Sequence, residues 1–277
     1  MTVYKRIEAT SPTRVDLAGG TLDLWPLYLF HKNCETVNLA IDVMTRVTLT
    51  PRNDSKIILS SEDTKQELVY NNINEVPEGG NHDLHLLRVH AEFWKPTCGF
   101  ELNTKSESPV GAGIAASSSL NISLCGAFSR LTDRQLTVEE TVTLAGNLEA
   151  RVIHTPTGCQ DYFPALFGGL NIIELTPLGP KRLGLNFDLA EFAKHFVLVY
   201  TGRPHHSGLN NWQIFKNHID SDKQTFNSFE KLKVVANKMR EACEKQQWES
   251  FGRLFDEEYG ARTEISKVFT SPEIERL

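Results

Sequence analysis

The spacing of apolar residues changes from segment to segment along the chain, and it predicts where strands give way to helices. Residues 37–50 are rich in β-branched side chains and alternate in their second half, placing Val43, Thr45, Val47 and Leu49 on one face of a strand. Residues 57–60 are near enough to pair with it as a hairpin across residues 51–56. Residues 83–94 bring Leu84, Leu87, His90 or Ala91, and Trp94 onto one helix face, and Pro96 closes that helix. After three serines, Leu120, Leu124, Ala127, Phe128 and Leu131 recur at intervals of three and four, the mark of a buried helix stripe. Thr137 and Glu140 have the spacing of a capping box, so a further helix runs from there to about Arg151. Residues 167–175 read as a strand entered through Gly168 and Gly169.

The pattern changes after about Pro180. Val197, Leu198, Val199 and Tyr200 predict a buried strand, and Phe226, Phe229, Leu232, Val235, Met239 and Ala242 then keep a helical rhythm. Trp212 and Phe215 are read most simply as core. There is no internal repeat and no low-complexity tract, and 277 residues suffice for two domains, 1–180 and 181–277.

Composition narrows the class of partner. The hydrophobic fraction is 40% and the charged fraction 23%, ordinary for a soluble chain, and the net charge of −6 argues against nonspecific nucleic-acid binding. A small molecule is the better partner. Five cysteines without CxxC spacing point to neither a disulfide framework nor a zinc site, which fits a reducing cytoplasm. The most apolar early stretch, residues 24–30, is short and contains Pro26, so no signal peptide or membrane span is expected.

Candidate chemistry lies in three segments. In residues 108–120, SPVGAGIAASSSL, small residues let a backbone approach phosphate oxygens, and the helix that follows offers unpaired N–H groups at the positive end of its dipole. Ser117, Ser118 and Ser119 suit helix caps, phosphate donors or metal ligands, and an ordinary capped helix after a flexible loop accounts for the segment equally well. In residues 11–23, SPTRVDLAGGTLD, Arg14 lies on an extended stretch and a Gly19–Gly20 turn presents Asp23. A solvated arginine and a turn or capping aspartate are the plainer readings. In residues 149–169, Glu149 ends the capped helix and Asp161 follows a Pro-Thr-Gly turn. One such carboxylate can accept a proton from a substrate hydroxyl and another can hold Mg²⁺ on phosphates. A surface glutamate and a helix N-cap are the alternatives. His205 and His206 lack a third ligand at metal spacing, and Arg203 is either solvated or within reach of a substrate phosphate.

The order PxRxxLxGGxxD, PxGxGxxxSS and ExxxxxxPxGxQD, followed by a Gly-Gly strand, resembles the GHMP kinases, the family of galactokinases, homoserine kinases and mevalonate kinases. Within it, the SPTR, GCQD and YTG segments are most similar to bacterial heptose-phosphate kinases and fucokinase-like sugar kinases. The resemblance implies an α+β protein with an N-terminal ribosomal protein S5 domain 2-like domain and a C-terminal ferredoxin-like GHMP domain. It implies ATP- and Mg²⁺-dependent phosphorylation of a sugar or sugar phosphate by a cytoplasmic monomer or homodimer. Residue by residue, it implies a phosphate loop of Gly111, Ala112, Gly113, Ile114, Ala115, Ala116, Ser117, Ser118 and Ser119, with Ser117 and Glu149 as Mg²⁺ ligands. Asp161 matches the catalytic aspartate, Arg14 the charge-steadying arginine beside it, and Asp23 an acceptor for a substrate hydroxyl.

The chain departs from the family pattern twice. Ala115 and Ala116 stand where Gly-Ser or Ser-Ser is usual, which removes a hydroxyl and implies weaker ATP binding. The family's third glycine-rich motif is missing: the glycines after Gly169 are scattered, and SPEIERL at 271–277 resembles the helix before that motif. Either the chain is cut short or the loop has been lost, and the C-terminal domain is expected to be incomplete. A mevalonate- or homoserine-like kinase and a noncatalytic nucleotide- or sugar-binding homologue are the competing readings.

Overall fold

The computed structural model describes residues 6–77, 84–185, 187–204 and 208–276. Residue 83, the first of the helix predicted over 83–94, and His205 and His206 lie outside the described residues. The fold is α+β with mixed strand pairing, and the chain divides into two compact units that are discontinuous in sequence. One comprises residues 1–13, 41–110 and 115–154, and the other residues 14–40, 111–114 and 155–277. Two long strands, β1 (Ile7–Ala18) and β2 (Cys34–Pro51), pair with each other and contribute residues to both units.

In the first unit β2 alternates as its pattern predicts: Thr45, Val47 and Leu49 are buried and Arg46 is exposed. The strand β3 (Ile57–Ser61) is not its hairpin partner. β3 pairs antiparallel with β4 (Gln66–Tyr70) and parallel with β5 (Phe100–Ser106), and β5 pairs antiparallel with β2. The connector from β2 to β3 bonds to the start of β5, Arg52 N–H to Gly99 O and Gly99 N–H to Asp54 O, so β5 takes the place beside β2. Three helices complete this unit: α1 (His85–Trp94), α2 (Ala116–Thr132) and α3 (Val138–Ile153). Their stripes supply Leu87, Trp94, Leu124 and Phe128 to a core shared with Val47, Leu49, Leu59 and Phe100. The Thr137–Glu140 capping box that opens α3 forms as predicted.

In the second unit a short helix, α4 (Tyr162–Phe167), ends at Gly168 and Gly169 and leads into β6 (Leu170–Thr176). β6 pairs antiparallel with the 34–39 portion of β2 and with β7 (Gly179–Gly184). The rest is helical: α5 (Leu189–Phe192), α6 (Gly208–Ile219), α7 (Lys223–Glu244) and α8 (Trp248–Ile265). α7 packs along α8 through Phe229, Leu232, Val235, Met239, Phe251 and Leu254, all buried. Residues 197–200 do not form the predicted buried strand. Their apolar run has no strand partner among the described residues, and Val197 is 86% exposed. Trp212, read above as core, is 58% exposed and stacks on Phe215 instead. No described helix is long and apolar enough to cross a membrane.

Candidate functional site

The glycine–serine loop has a backbone of alternating hand. Gly111, Gly113 and Ala115 take φ of 73°, 79° and 58°, while the residues between them stay out of the left-handed region. Alternation of this kind turns successive N–H groups toward one side and makes an anion-binding concavity. The loop delivers the chain to α2, whose N-cap residue, Ala115, makes no side-chain capping bond. The first N–H groups of that helix therefore remain available to an anion. Glycine bears a left-handed φ without strain; at Ala115 the same conformation costs about 1–2 kcal/mol.

In the first unit, α2 and α3 bring serines and a carboxylate together. Ser117 Oγ donates to Glu149 Oε1 at 2.9 Å, and Ser118 Oγ donates to Oε1 at 3.1 Å and Oε2 at 2.9 Å. Glu149 is buried, which removes the surface-helix reading. Ser119 has a different job. Its hydroxyl donates to Ser11 O at 2.9 Å and lies 2.7 Å from Thr45 Oγ1, joining α2 to the strands.

The second unit holds the arginine and the aspartates. Arg14 Nε donates to Asp161 Oδ1 at 2.7 Å, and Arg14 Nη1 donates to Gly113 O at 3.1 Å. The Arg14 backbone N–H adds a bond to Ile114 O at 3.1 Å. Burial works against the guanidinium charge, but Asp161, Asp16 and Asp23 outweigh it and raise the Arg14 pKa. Asp161 occupies the N-cap position of α4, yet its side chain makes no capping bond there. The helix-cap reading fails for it, as the solvated-charge reading fails for Arg14.

Asp23 is buried and accepts the Gln160 backbone N–H at 2.8 Å. Its pKa is pushed up to about 6, by burial first and by Asp161 next, while the Gln160 bond pulls it down. Gly158 is what admits it: a Cβ there would fall 2.1 Å from Asp23 Oδ2. The Cys159 thiol next to it is pushed well above its usual range by burial and by Asp23 and Asp161, so it is no nucleophile.

Two residues of this cluster escaped the reading of the sequence. Gln160 donates from Nε2 to Asp16 Oδ2 at 3.4 Å and accepts Asn38 Nδ2 on its backbone oxygen at 3.2 Å. Asp16 follows Arg14 by two positions on β1, which puts both on one face of the strand, and that period is the signal that could have found it. Arg203, a candidate for a substrate phosphate, pairs with Glu273 at 2.9 Å. A groove of about 490 Å³ lined by α7 and α8 contains none of these groups, and its Lys231 and Lys238 are paired with Glu264 and Glu257.

Phosphoryl transfer asks a protein for positioning and for fixed charge rather than covalent chemistry. A concave N–H loop, a hydroxyl–carboxylate pair and an aspartate steadied by a buried arginine are groups that supply both. Residues 84–169 match the family described as GHMP kinases N terminal domain. Along nearly its whole length the chain is similar to the D-glycero-alpha-D-manno-heptose 7-phosphate kinase of Campylobacter jejuni: 27% identity, covering 99% of this chain and 82% of that enzyme. Among solved structures, a D-glycero-D-manno-heptose 1-phosphate kinase from Bacteroides thetaiotaomicron superposes with a TM-score of 0.74 at 20% identity, over 92% of this chain and 79% of that one. The mevalonate kinase of Methanococcus jannaschii superposes with a TM-score of 0.69 at 18% identity, over 98% and 82%. The fold is thus common to kinases named for a sugar phosphate and for mevalonate, and it does not choose between acceptors.

Proposed function

We propose that the protein is a sugar or sugar-phosphate kinase that transfers the γ-phosphoryl group of ATP to an acceptor hydroxyl with the help of Mg²⁺. The observation that carries this reading is the double engagement of Arg14. One guanidinium binds the Asp161 carboxylate and the carbonyl of Gly113, tying the candidate base to the phosphate loop.

In this mechanism the N–H groups of the loop and of the first turn of α2 receive the triphosphate. Asp161 takes the proton of the attacking hydroxyl, and Arg14 fixes the orientation of that carboxylate and offsets negative charge. Asp23 accepts a second hydroxyl of the acceptor and so orients it. Ser117 and Glu149 would hold Mg²⁺. A hydroxyl and a carboxylate are hard oxygen donors, and Mg²⁺ commonly takes one or two protein oxygens beside waters and phosphates, so the donor set fits. When bound, the ion supplies charge neutralisation on the phosphates.

The test is ADP release across a panel of hexoses, heptoses, their phosphates, mevalonate and homoserine. A sugar or sugar phosphate is expected to be the best acceptor. Asp161→Asn should lower kcat by roughly 10²–10⁴-fold, the usual contribution of a general base, while nucleotide binding persists. Preference for mevalonate or homoserine would overturn the acceptor class. Nucleotide binding without turnover on any acceptor would make the chain a binding protein.

A further inference from the structure

α8 reaches the candidate site through two residues one turn apart. Arg262 Nη2 donates to Asp16 Oδ2 at 2.9 Å, Nε donates to Glu258 Oε1 at 2.8 Å, and Nη1 lies 3.5 Å from Thr21 Oγ1. Glu258 accepts a hydrogen bond from the Gly19 backbone. Two side chains on one face of α8 therefore hold both ends of the turn at residues 19–21 that leads to Asp23. Burial opposes the Arg262 charge, and Glu258 and Asp16 override it, raising its pKa.

The pairing matters because Arg14 has more than one acidic neighbour. Asp161 is in contact with it, and Asp16, on the same strand face, attracts it as well. Asp16 has capacity to spare: its Oδ1 is buried and has no hydrogen-bond partner. Without Arg262, Asp16 would be a half-buried carboxylate with no cation of its own, a costly state. The arginine placed to relieve it would be Arg14. We propose that Arg262 is a positioning residue for phosphoryl transfer: by engaging Asp16 it leaves Arg14 committed to Asp161 and Gly113. The effect on transfer rests on the kinase reading above, whereas the effect on Arg14 does not.

The experiment is a double-mutant cycle on the full chain, run with the best acceptor of the wild-type protein. Arg262→Met should lower kcat roughly tenfold. Adding Asp16→Asn should restore kcat to within about threefold of the Asp16→Asn single variant, because an amide no longer competes for Arg14. If α8 merely braces the fold, the two losses add and the double variant is the poorer enzyme, which overturns the proposal. Should Arg262→Met fail to fold, Arg262→Gln carries the same cycle.

A second readout is the ¹⁵N–¹H signal of Arg14 Nε, assigned by its loss in Arg14→Lys. It should move in Arg262→Met and return in the double variant, and an unmoved signal overturns the proposal. A wild-type chain inactive on every acceptor overturns the kinase reading instead, and the Arg14 signal still decides whether Arg262 governs the arginine.

Discussion

Two charged clusters of this protein are assembled in opposite ways. In the first unit, Ser117 and Ser118 meet Glu149 across a pair of helices that follow one another in the chain, and the second of them opens on its own capping box. In the second, Arg14 meets an aspartate 147 residues away, and Asp16, Asp23, Gln160 and Arg262 arrive from a strand, a turn, a loop and a distant helix. A pair built on adjacent helices depends on few groups, so its response to substitution should be local. A cluster in which each carboxylate shares partners with the next should respond as a unit.

The largest effect expected from the first cluster is a loss of metal response. Glu149→Gln should lower the rate at ordinary Mg²⁺ by roughly 10²-fold, and added Mg²⁺ should recover part of it. Ser117→Ala should raise the Mg²⁺ needed for half-maximal rate by a smaller factor. A Mg²⁺ titration of both variants checks this, and an unchanged curve for either removes that residue from the ligand set. If Glu149→Gln also altered how the rate depends on pH, the separation of the two clusters would be lost.

The second cluster has a pH signature of its own. Because the Asp23 pKa is about 6 in the folded protein and near 4 when unfolded, the folded state retains a proton that the unfolded state releases. Stability should fall as the pH rises from about 4 to 6, with the full cost present above that window. Asp23→Asn should abolish this slope and stabilise the protein at pH 7 by about 2–3 kcal/mol, the size of a two-unit shift. Urea unfolding at pH 4.5 and pH 7 measures it. The same variant should bind the acceptor more weakly, and a slope that persists in Asp23→Asn would assign it to another group.

These two clusters also differ in how well the sequence disclosed them. The loop, its serines, the α2 stripe and the α3 capping box are local patterns, in which each residue constrains a neighbour a few positions away. Arg14, Asp23 and Asp161 were reached through the order of three motifs, but the network around them was not. Asp16 looks like any alternating strand residue. Arg262, four positions after Glu258, looks like half of a surface helix pair, although both side chains are largely buried. Burial of that kind depends on which distant segments pack there. The same limit explains the two misread strands: chain proximity suggested β2 as the partner of β3, and an apolar run at 197–200 suggested burial without naming a partner.

The smallest effect expected lies in the glycine–serine loop. Ala115→Gly should relieve the left-handed strain at φ of 58° and, because glycine also gains freedom when unfolded, shift stability by only about 1 kcal/mol or less. Thermal melts would detect it. A loss of more than that would mean the Ala115 methyl makes contacts that offset its strain. Tighter nucleotide binding by the variant would show that the loop's backbone conformation, rather than its missing hydroxyl, sets affinity.

The division into two discontinuous units bears on how the protein is made. No single cut in the gene yields two fragments each drawn from one unit, because residues 14–40 and 111–114 are interleaved with the other unit's segments. On the ribosome, Arg14 emerges 147 residues ahead of the aspartate that balances it, and Asp16 emerges 246 residues ahead of Arg262. Arg14 is therefore without Asp161, and Asp16 without Arg262, until those later segments have emerged. That interval is when a ribosome-associated holdase, or a pause in translation, would have most influence on the yield of folded protein.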